Sequence, residues 1–309
     1  MPHIVIVGSL NMDLVVRTPH MPAPGETVLG GNFQTIPGGK GANQAVAAAR
    51  LGARVSMVGR VGADAFGTAL LANLQVEGVD VRHVLADTTA ASGVALITVD
   101  ESGQNSIVVA SGANWRLTVD DVQATLAEID AFDVLVMQLE SPLPVVEAAA
   151  KLARERGARV ALNPAPARAL PTSLLAQTDV LIPNESETSL LTGLPVESLS
   201  QAEEAARALL EQGVGAVVLT LGSRGALVVE PGQEAVHLPP HAVEVVDTTA
   251  AGDAFVAGLA TRWGEGADLV EAARWGNAAG ALAVTKVGAQ PSAPTRTAVV
   301  NLMRGSDAH

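Results

Sequence analysis

The sequence has no cysteine, no tyrosine and few other aromatic residues, with three tryptophans and four phenylalanines among its 309 positions. The absence of cysteine excludes disulfide bonds, thiolate nucleophiles and metal centres held by cysteine. The scarcity of aromatic rings argues against a base-stacking surface for nucleic acid. Acidic residues outnumber basic ones by 32 to 19, and the net charge of −13 also argues against a nucleic-acid partner, because cations must displace the counterions of the phosphates.

The sequence also lacks an uncharged apolar run of about 20 residues, the length that a membrane-spanning helix needs. Its first residues, MPHIVIVG, carry no basic stretch before a long apolar core, so they are typical of a first strand and not of a secretory signal. Hydrophobic residues make up 48% and charged residues 17%, a composition that suits a packed, aliphatic core. These features predict a soluble, cytoplasmic α/β protein that does not bind membranes, with one large or two ordinary domains.

Strand and helix patterns alternate along most of the chain. Short runs rich in β-branched residues occur at 3–8, 55–58, 134–137, 159–162, 180–182 and 216–221. The clearest helical pattern covers 200–212, where Ser200 and Glu203 have capping-box spacing and Gly213 is placed to end the helix. The alternation predicts a mainly parallel sheet flanked by helices on both faces, with ligands at the carboxyl ends of its strands.

Two stretches interrupt this alternation. The first, 11–37, has strand-like pieces at 15–16, 27–29 and 32–36 but no convincing helix. The second, 92–110, has two strand patterns around the turn 100–103, which indicates a hairpin. We interpret the two stretches as a small β lid inserted into an α/β body made of 1–10, 38–91 and 111–309. The alternative is a pair of surface hairpins without such a role.

A glycine-rich segment at 38–45, GGKGANQA, precedes an expected helix at 45–51. Paired glycines allow a ligand to approach the backbone, and the start of a helix offers free N–H groups and a positive dipole end. Lys40 and Asn43 add a cation and an amide. The segment is neither a Walker A loop nor a dinucleotide-binding fingerprint. By itself, it is equally consistent with a tight turn before a helix.

Polar residues follow two of the predicted strands. Asn11 and Asp13 come after the first strand, where they are suited to binding sugar hydroxyls, although an Asx turn is an alternative. Asn184 and Glu187 follow the strand at 180–182 with the spacing of one helix face. A carboxylate beside an amide can hold a hydrated Mg²⁺ from outside its water shell, and the same pair also suits a helix cap.

The segment VDTTAAGDAF at 246–255 carries the strongest chemical signal. Two aspartates bracket small residues, and an apolar helix follows at 254–259. Small side chains leave room for a ligand, and the N–H groups of 250–253 would form an anion hole at the start of the helix. Asp253 is placed to take a proton from a hydroxyl beside a phosphate, whereas a lone aspartate at this position is more often a cap.

Six ordered motifs then match a known family: GSLNMD at 8–13, PGGKGANQA at 37–45, NESE at 184–187, TLGSRG at 220–225, DTTAAGD at 247–253 and GAQPS at 288–292. They span nearly the whole chain, which resembles the phosphofructokinase-B type carbohydrate kinases. The combination of GGKGANQA, NMD and DTTAAGD is similar to members that phosphorylate D-ribose. The resemblance implies transfer of the ATP γ-phosphate to the 5-hydroxyl of D-ribose, giving D-ribose 5-phosphate.

The resemblance also implies residue roles. Asp253 would be the catalytic base and Gly252 part of the anion hole. Sugar contacts are implied for Asn11, Asp13, Gly39, Lys40, Gly41, Ala42, Asn43, Glu140 and Asp253. ATP contacts are implied for Asn184, Thr220, Leu221, Gly222, Ser223, Arg224, Gly225, Gly252 and Asn277.

Two cations and a homodimer follow from the same resemblance. Glu187 would organise Mg²⁺ through water. An activating K⁺ would lie at Asp247, Thr249, Ala283, Lys286, Gly288 and Ser292, mostly through backbone carbonyls. The β lids would pair two subunits. Two alternatives stay open: a kinase of the same family for fructose, a deoxyribose, a nucleoside or pseudouridine, and a catalytically silent sugar-binding protein on the same scaffold.

Overall fold

The computed structural model describes residues 1–306, which form two β-sheets and their covering helices. In chain order the strands are β1 (His3–Val7), β2 (Asn11–Thr18), β3 (Phe33–Gly38), β4 (Arg54–Gly62), β5 (Asp80–Asp87), β6 (Gly93–Asp100), β7 (Asn105–Ala110), β8 (Val134–Met137), β9 (Arg159–Leu162), β10 (Val180–Leu181), β11 (Val217–Thr220), β12 (Ala226–Val229) and β13 (Val236–Leu238). The helices are α1 (Lys40–Arg50), α2 (Ala65–Val76), α3 (Val119–Glu128), α4 (Leu143–Glu155), α5 (Thr172–Leu175), α6 (Glu185–Thr192), α7 (Leu199–Glu211), α8 (Ala251–Gly264), α9 (Leu269–Ala283), α10 (Ala289–Ser292) and α11 (Arg296–Ser306). Two short 3₁₀ turns lie at Gly112–Arg116 and Gly222–Arg224.

The larger sheet has nine strands in the order β13-β12-β11-β10-β9-β8-β1-β4-β5. The seven strands from β11 to β5 are parallel, and β12 and β13 extend the sheet as an antiparallel ribbon at one edge. The predicted mainly parallel sheet is therefore confirmed. Each parallel strand ends at the same edge, so the polar residues that follow the strands converge there.

Both faces of this sheet are covered by helices. Along β1, Ile4 and Ile6 pack into one hydrophobic core, whereas Val5 and Val7 pack into the core on the other face. The first core includes buried residues of α1, α8 and α9, and the second those of α3, α4 and α7. No helix among the described residues is both long and apolar enough to cross a bilayer.

The smaller sheet has four strands in the order β3-β2-β6-β7. β2 pairs in parallel with β6, and the predicted hairpin is confirmed as the antiparallel pair β6 and β7. The predicted strand piece at 27–29 is wrong, because these residues form a loop in which Leu29 is 89% exposed. A single apolar side chain in water has no partner strand or core to hold it extended.

Two helix starts differ from the sequence-based predictions. α7 is capped by Ser198 and Gln201, not by Ser200 and Glu203, although both pairs have the spacing of a capping box. α1 begins at Lys40, five residues before the predicted start, and Gly39 caps it at φ 89°. The early start is possible because the glycines let the first turn approach the end of β1, where the amide of Ala42 donates to the carbonyl of Ser9.

Candidate active site

The candidate site lies at the carboxyl edge of the large sheet, between the first turns of α1 and α8. A cavity of about 230 Å³ opens here and contains Lys40, Asn184, Glu187 and Asp253 in its wall. A larger cavity of about 790 Å³ adjoins it and shares Asn184, Gly252 and other wall residues. The two cavities form one continuous groove whose larger part is within the usual size range of small-molecule sites.

The start of α8 has an unusual backbone. Ala250 precedes it at φ 57°, the one non-glycine residue in the left-handed region among residues 1–306. Strain of this kind is found mainly where the surrounding structure imposes it, often at functional sites. The backbone amide of Ala251 donates to the carbonyl of Thr248 at 3.3 Å. The next backbone amides of the first turn are those of Gly252 and Asp253, and they lie at the start of the helix.

The carboxylate of Asp253 is buried and held by two amides. Asn43 Nδ2 donates to Oδ2 at 3.0 Å, and Gln44 Nε2 donates to Oδ1 at 2.9 Å. Burial raises the pKa of Asp253 above its ordinary value. The charge of Lys40 and these two hydrogen bonds oppose that rise, whereas the charge of Glu140 adds to it. A carboxyl group in this setting is suited to proton transfer.

Two further carboxylates, Asp13 and Glu140, lie close enough to interact with each other, and Asp13 also interacts with Asp253. Asp13, on β2, has its pKa raised to about 7 by burial and by the charges of Glu140 and Asp253. Glu140 follows β8, and its Oε2 accepts a short hydrogen bond from the hydroxyl of Ser9 and one from the Lys40 amide at 3.3 Å. The predicted sugar residues of β2, α1 and the loop after β8 therefore converge on one small volume.

Glycines allow this convergence. A Cβ at Gly39 would lie 2.7 Å from the backbone nitrogen of Asn11. A Cβ at Gly41 would lie 2.7 Å from the backbone nitrogen of Ser9. A Cβ at Gly38 would overlap the carboxylate of Asp13. These contacts explain why the GGKG segment contains glycine at 38, 39 and 41.

Lys40 is a cation among three carboxylates. Burial would lower the pKa of its ammonium group, but the charges of Asp253, Glu140 and Glu187 outweigh burial and raise that pKa. Lys40 therefore stays charged in the smaller cavity, where an anionic ligand would lie opposite the start of α8.

Asn184 and Glu187 form the predicted cap of α6. Asn184 Oδ1 accepts from the backbone N–H of Glu187, and Glu187 Oε2 accepts from the backbone N–H of Asn184, each at 2.8 Å. Burial raises the pKa of Glu187, against the Asn184 hydrogen bond and the charge of Lys40. The described residues contain no group of three or more acidic, histidine or cysteine side chains that could enclose a metal. The carboxylate of Glu187 in the cavity wall fits a hydrated Mg²⁺ that is bound chiefly through phosphates.

The larger cavity contains most of the predicted nucleotide residues: Asn184, Thr220, Gly222, Ser223, Gly225, Gly252 and Asn277. Two others point elsewhere. Leu221 is 1% exposed and packs in the core, and Arg224 pairs with Glu185 and donates to the carbonyl of Val196. Sequence reasoning missed the mainly apolar wall made by Val243, Val245, Phe255, Ala281 and Val284.

The predicted potassium residues lie in two segments: the loop before α8, and the stretch from the end of α9 to the end of α10. Asp247 Oδ2 accepts from the amide of Gly288 at 2.8 Å, and its Oδ1 accepts from the amide of Thr249 at 2.9 Å. Burial raises the pKa of Asp247, but these hydrogen bonds outweigh it and hold that pKa below its ordinary value. Lys286 is exposed. Asp247 is an ionised carboxylate that joins these two segments through Thr249 and Gly288. Together with backbone carbonyl groups of the same segments, it fits a monovalent cation.

Four buried polar residues near the site were not assigned from the sequence. Ser9 and Gln44 contact Glu140 and Asp253, as described above. Gln138 donates to Gln44, and Asn114 Nδ2 donates to Asn11 Oδ1 at 2.7 Å. Gln138 follows the predicted strand 134–137 directly, so its place at a strand's carboxyl end was the available signal.

Residues 1–296 match the family model described as pfkB family carbohydrate kinase, and the chain therefore belongs to that family. The match confirms the resemblance inferred from the motifs. It also agrees with the groove, in which a carboxyl cluster adjoins a cavity at a helix start.

The chain is also similar to individual members of this family, both in sequence and in structure. A ribokinase of Haemophilus influenzae is 44% identical over 95% of this chain and 95% of its own length. A deoxyribokinase of Salmonella typhimurium is 38% identical over 94% of this chain and 95% of its own length. The solved structure of Arabidopsis thaliana ribokinase complexed with ribose and ATP has a TM-score of 0.91 and 35% identity, covering 98% of this chain and 99% of that one.

Proposed function

We propose that this chain transfers the γ-phosphate of ATP to the 5-hydroxyl of D-ribose, releasing ADP and D-ribose 5-phosphate. The observation that carries the proposal is the position of Asp253, whose buried carboxylate joins the acidic cluster of Asp13 and Glu140 to the cavity at the start of α8. The ribokinase relatives support ribose as the acceptor. A cytoplasmic location is part of the proposal, since ATP is made inside cells.

In the proposed reaction, the sugar binds among Asn11, Asp13, Asn43 and Glu140. Their carboxylate and amide groups can accept from and donate to several hydroxyls at once. Asp253 then accepts the proton of the 5-hydroxyl as the O–P bond forms. Holding hydroxyl and phosphate in line removes much of the entropy cost of bringing them together.

The γ-phosphoryl group would lie against the first-turn amides of Gly252 and Asp253. Phosphoryl transfer has an anionic, loose transition state, so fixed donors and cations that face it lower the barrier. Lys40 supplies a buried positive charge in the same cavity.

Glu187 would hold Mg²⁺ through its water shell. K⁺ would be held, mostly through backbone carbonyls, by Asp247, Thr249, Ala283, Lys286, Gly288 and Ser292. Mg²⁺ held there would supply positive charge beside the phosphates, and K⁺ would hold the loop before α8 in one conformation. The small sheet would act as a lid that excludes water, because ATP hydrolysis competes with transfer to the sugar. The proposed lid comprises 11–37 and 92–110, and paired lids would form a homodimer.

The test is ADP release from ATP with D-ribose, 2-deoxy-D-ribose, D-fructose, adenosine and pseudouridine, each with K⁺ or with choline in its place. D-ribose is expected to give the highest kcat/KM, and its rate is expected to collapse in choline. Absence of ADP release with every acceptor would indicate a silent sugar-binding protein. Equal rates in K⁺ and choline would discard the potassium site alone.

A second candidate acceptor is 2-deoxy-D-ribose, and the similarity of this chain to a deoxyribokinase supports it. The same assay separates the two, because a site that hydrogen-bonds the 2-hydroxyl rejects a sugar that lacks it. A higher kcat/KM for the deoxy sugar would replace D-ribose in the proposal.

A further inference from the structure

Two buried glutamines form a hydrogen-bonded chain that ends on Asp253. Gln138 Nε2 donates to Gln44 Oε1 at 2.5 Å, and Gln44 Nε2 donates to Asp253 Oδ1 at 2.9 Å. Both glutamines are fully buried. They come from different elements, because Gln44 is on α1 and Gln138 follows β8, whereas Asp253 is on α8.

The chain has a fixed direction. An amide group has one acceptor end and one donor end, so the bond from Gln138 to Gln44 Oε1 turns the NH₂ group of Gln44 toward Asp253. That NH₂ group also donates to Asn163 Oδ1 at 3.3 Å, which uses its second hydrogen. Gly8 leaves the space for Gln138, since a Cβ at position 8 would overlap Gln138 Oε1.

We propose that Gln44 is a positioning residue for Asp253, and that Gln138 acts through Gln44 to hold the carboxylate in one orientation toward the sugar. This inference rests on the proposed role of Asp253 as the base. Gln138 Oε1 is itself buried without a hydrogen-bond partner among the described residues. Leaving further buried polar groups unpaired is costly, so the two bonds from Gln138 to Gln44 and from Gln44 to Asp253 favour one arrangement of the three groups.

Charged groups face Asp253 from several elements. Lys40 on α1 favours the ionised form of Asp253, and Glu140 after β8 disfavours it. Asp13 on β2 and Glu187 on α6 also interact with its charge. Gln44 adds a neutral donor to this set, and its loss leaves the surrounding charges unchanged. Because donation to a carboxylate favours the ionised form, removing Gln44 raises the pKa of Asp253.

The test is Gln44→Met, which nearly keeps the side-chain length and removes both polar ends. The acidic limb of the kcat profile for D-ribose, measured from pH 5 to 9, is expected to move up by about one pH unit. On the acidic side of the limb kcat is expected to fall about tenfold, with the KM for ATP within about twofold. Gln138→Met is expected to shift the limb in the same direction by less. The double variant is expected to match Gln44→Met, because both residues act through one contact.

Thr178→Val is the matched control. Thr178 is 1% exposed and donates to the carbonyl of Leu174, at the opposite edge of the sheet. Thr178→Val removes a buried hydrogen bond at nearly constant side-chain volume. Its melting temperature and its kcat profile together show how a loss of stability alone changes kcat.

Three outcomes decide the inference. A shifted limb in either folded glutamine variant, with an unshifted Thr178→Val, supports it. An unmoved limb in both glutamine variants overturns it, as does a fall in kcat without a shift that Thr178→Val reproduces. Asp253→Asn separates the two proposals: if that variant keeps near-normal turnover, the base role itself fails, whatever the glutamines do.

Discussion

At the scale of single residues, the site depends on a carboxylate that is buried and still accepts two hydrogen bonds. Asp253→Asn keeps the size of the side chain and removes its ability to accept a proton. We expect kcat to fall by about 10²–10⁴ with a modest change in either KM. Steady-state kinetics of the purified variant check this. Asp80→Asn, in the Arg82 pair far from the site, serves as the control, and near-normal turnover of Asp253→Asn would remove the base role.

A second residue, Asp13, is expected to make sugar binding depend on pH. Its pKa of about 7, raised by burial and then by Glu140 and Asp253, means that it ionises across the neutral range. If the ionised form binds the hydroxyls, the Kd for D-ribose is expected to weaken about tenfold from pH 8 to pH 6. Calorimetric titration without nucleotide measures it, and a flat Kd over this range would contradict the prediction.

The same raised pKa has a stability consequence of defined sign. The folded state binds the Asp13 proton up to about pH 7, whereas the unfolded chain releases it near 3.8, so the free energy of unfolding falls as the pH rises between these values. Asp13→Asn is therefore expected to melt about 2 °C or more higher than the parent at pH 8. The gain is expected to shrink toward pH 5, because the parent carboxyl is then protonated in the folded state.

At the scale of elements, the first turn of α1 depends on Gly39. Gly39→Ala combines a backbone at φ 89° with a Cβ that would lie 2.7 Å from the Asn11 amide. We expect a melting temperature lower by about 4 °C or more and a raised KM for the sugar, because relief of the overlap would displace Asn11. Thermal melts and sugar kinetics measure both effects.

Gly78→Ala is the matched control for that prediction. Gly78 has φ 80°, but a Cβ there would have no neighbour within 4 Å. It reports the backbone cost alone, so an equal effect of the two variants on both quantities would show that the approach of α1 to Asn11 is unimportant.

The elements also show where the sequence was ambiguous. The strands 134–137 and 159–162 coincide with β8 and β9, because buried parallel strands are continuous runs of β-branched and aliphatic residues. The start of α7 was misplaced, since two overlapping pairs, Ser198 with Gln201 and Ser200 with Glu203, have the same spacing. In the structure Gln201 Oε1 also accepts from the backbone amide of Glu197 at 2.9 Å, a bond that joins the preceding loop to the start at Ser198.

At the scale of the whole molecule, the small sheet exposes an apolar edge strand. Every residue of β7 is exposed, with Val108 62% and Ile107 52% accessible, and within residues 1–306 β7 pairs only with β6. Exposed apolar edge strands tend to pair with another chain. We expect light scattering to give twice the 31.4 kDa chain mass and Val108→Glu to shift the protein toward monomer.

Val76→Glu is the control for the dimer. Val76 is 86% exposed at the end of α2, outside the small sheet. The same added charge there is expected to leave the oligomeric state unchanged. A parent protein that scatters as a monomer at micromolar concentration would contradict the dimer.

The sequence by itself determined the alternation of strands and helices and the family, and it located β1, β4 and β8–β11, because each of these depends on local spacing. It did not locate β5, β12 or β13. It could not determine which polar residues from distant segments would meet. Gln44, Gln138 and Asp253 are far apart along the chain, and their contact exists only because β8 ends, and α1 and α8 begin, at one edge of the sheet. The pKa of Asp13 was likewise decided by tertiary structure, since burial and the nearby charges of Glu140 and Asp253 arise only when the chain has folded.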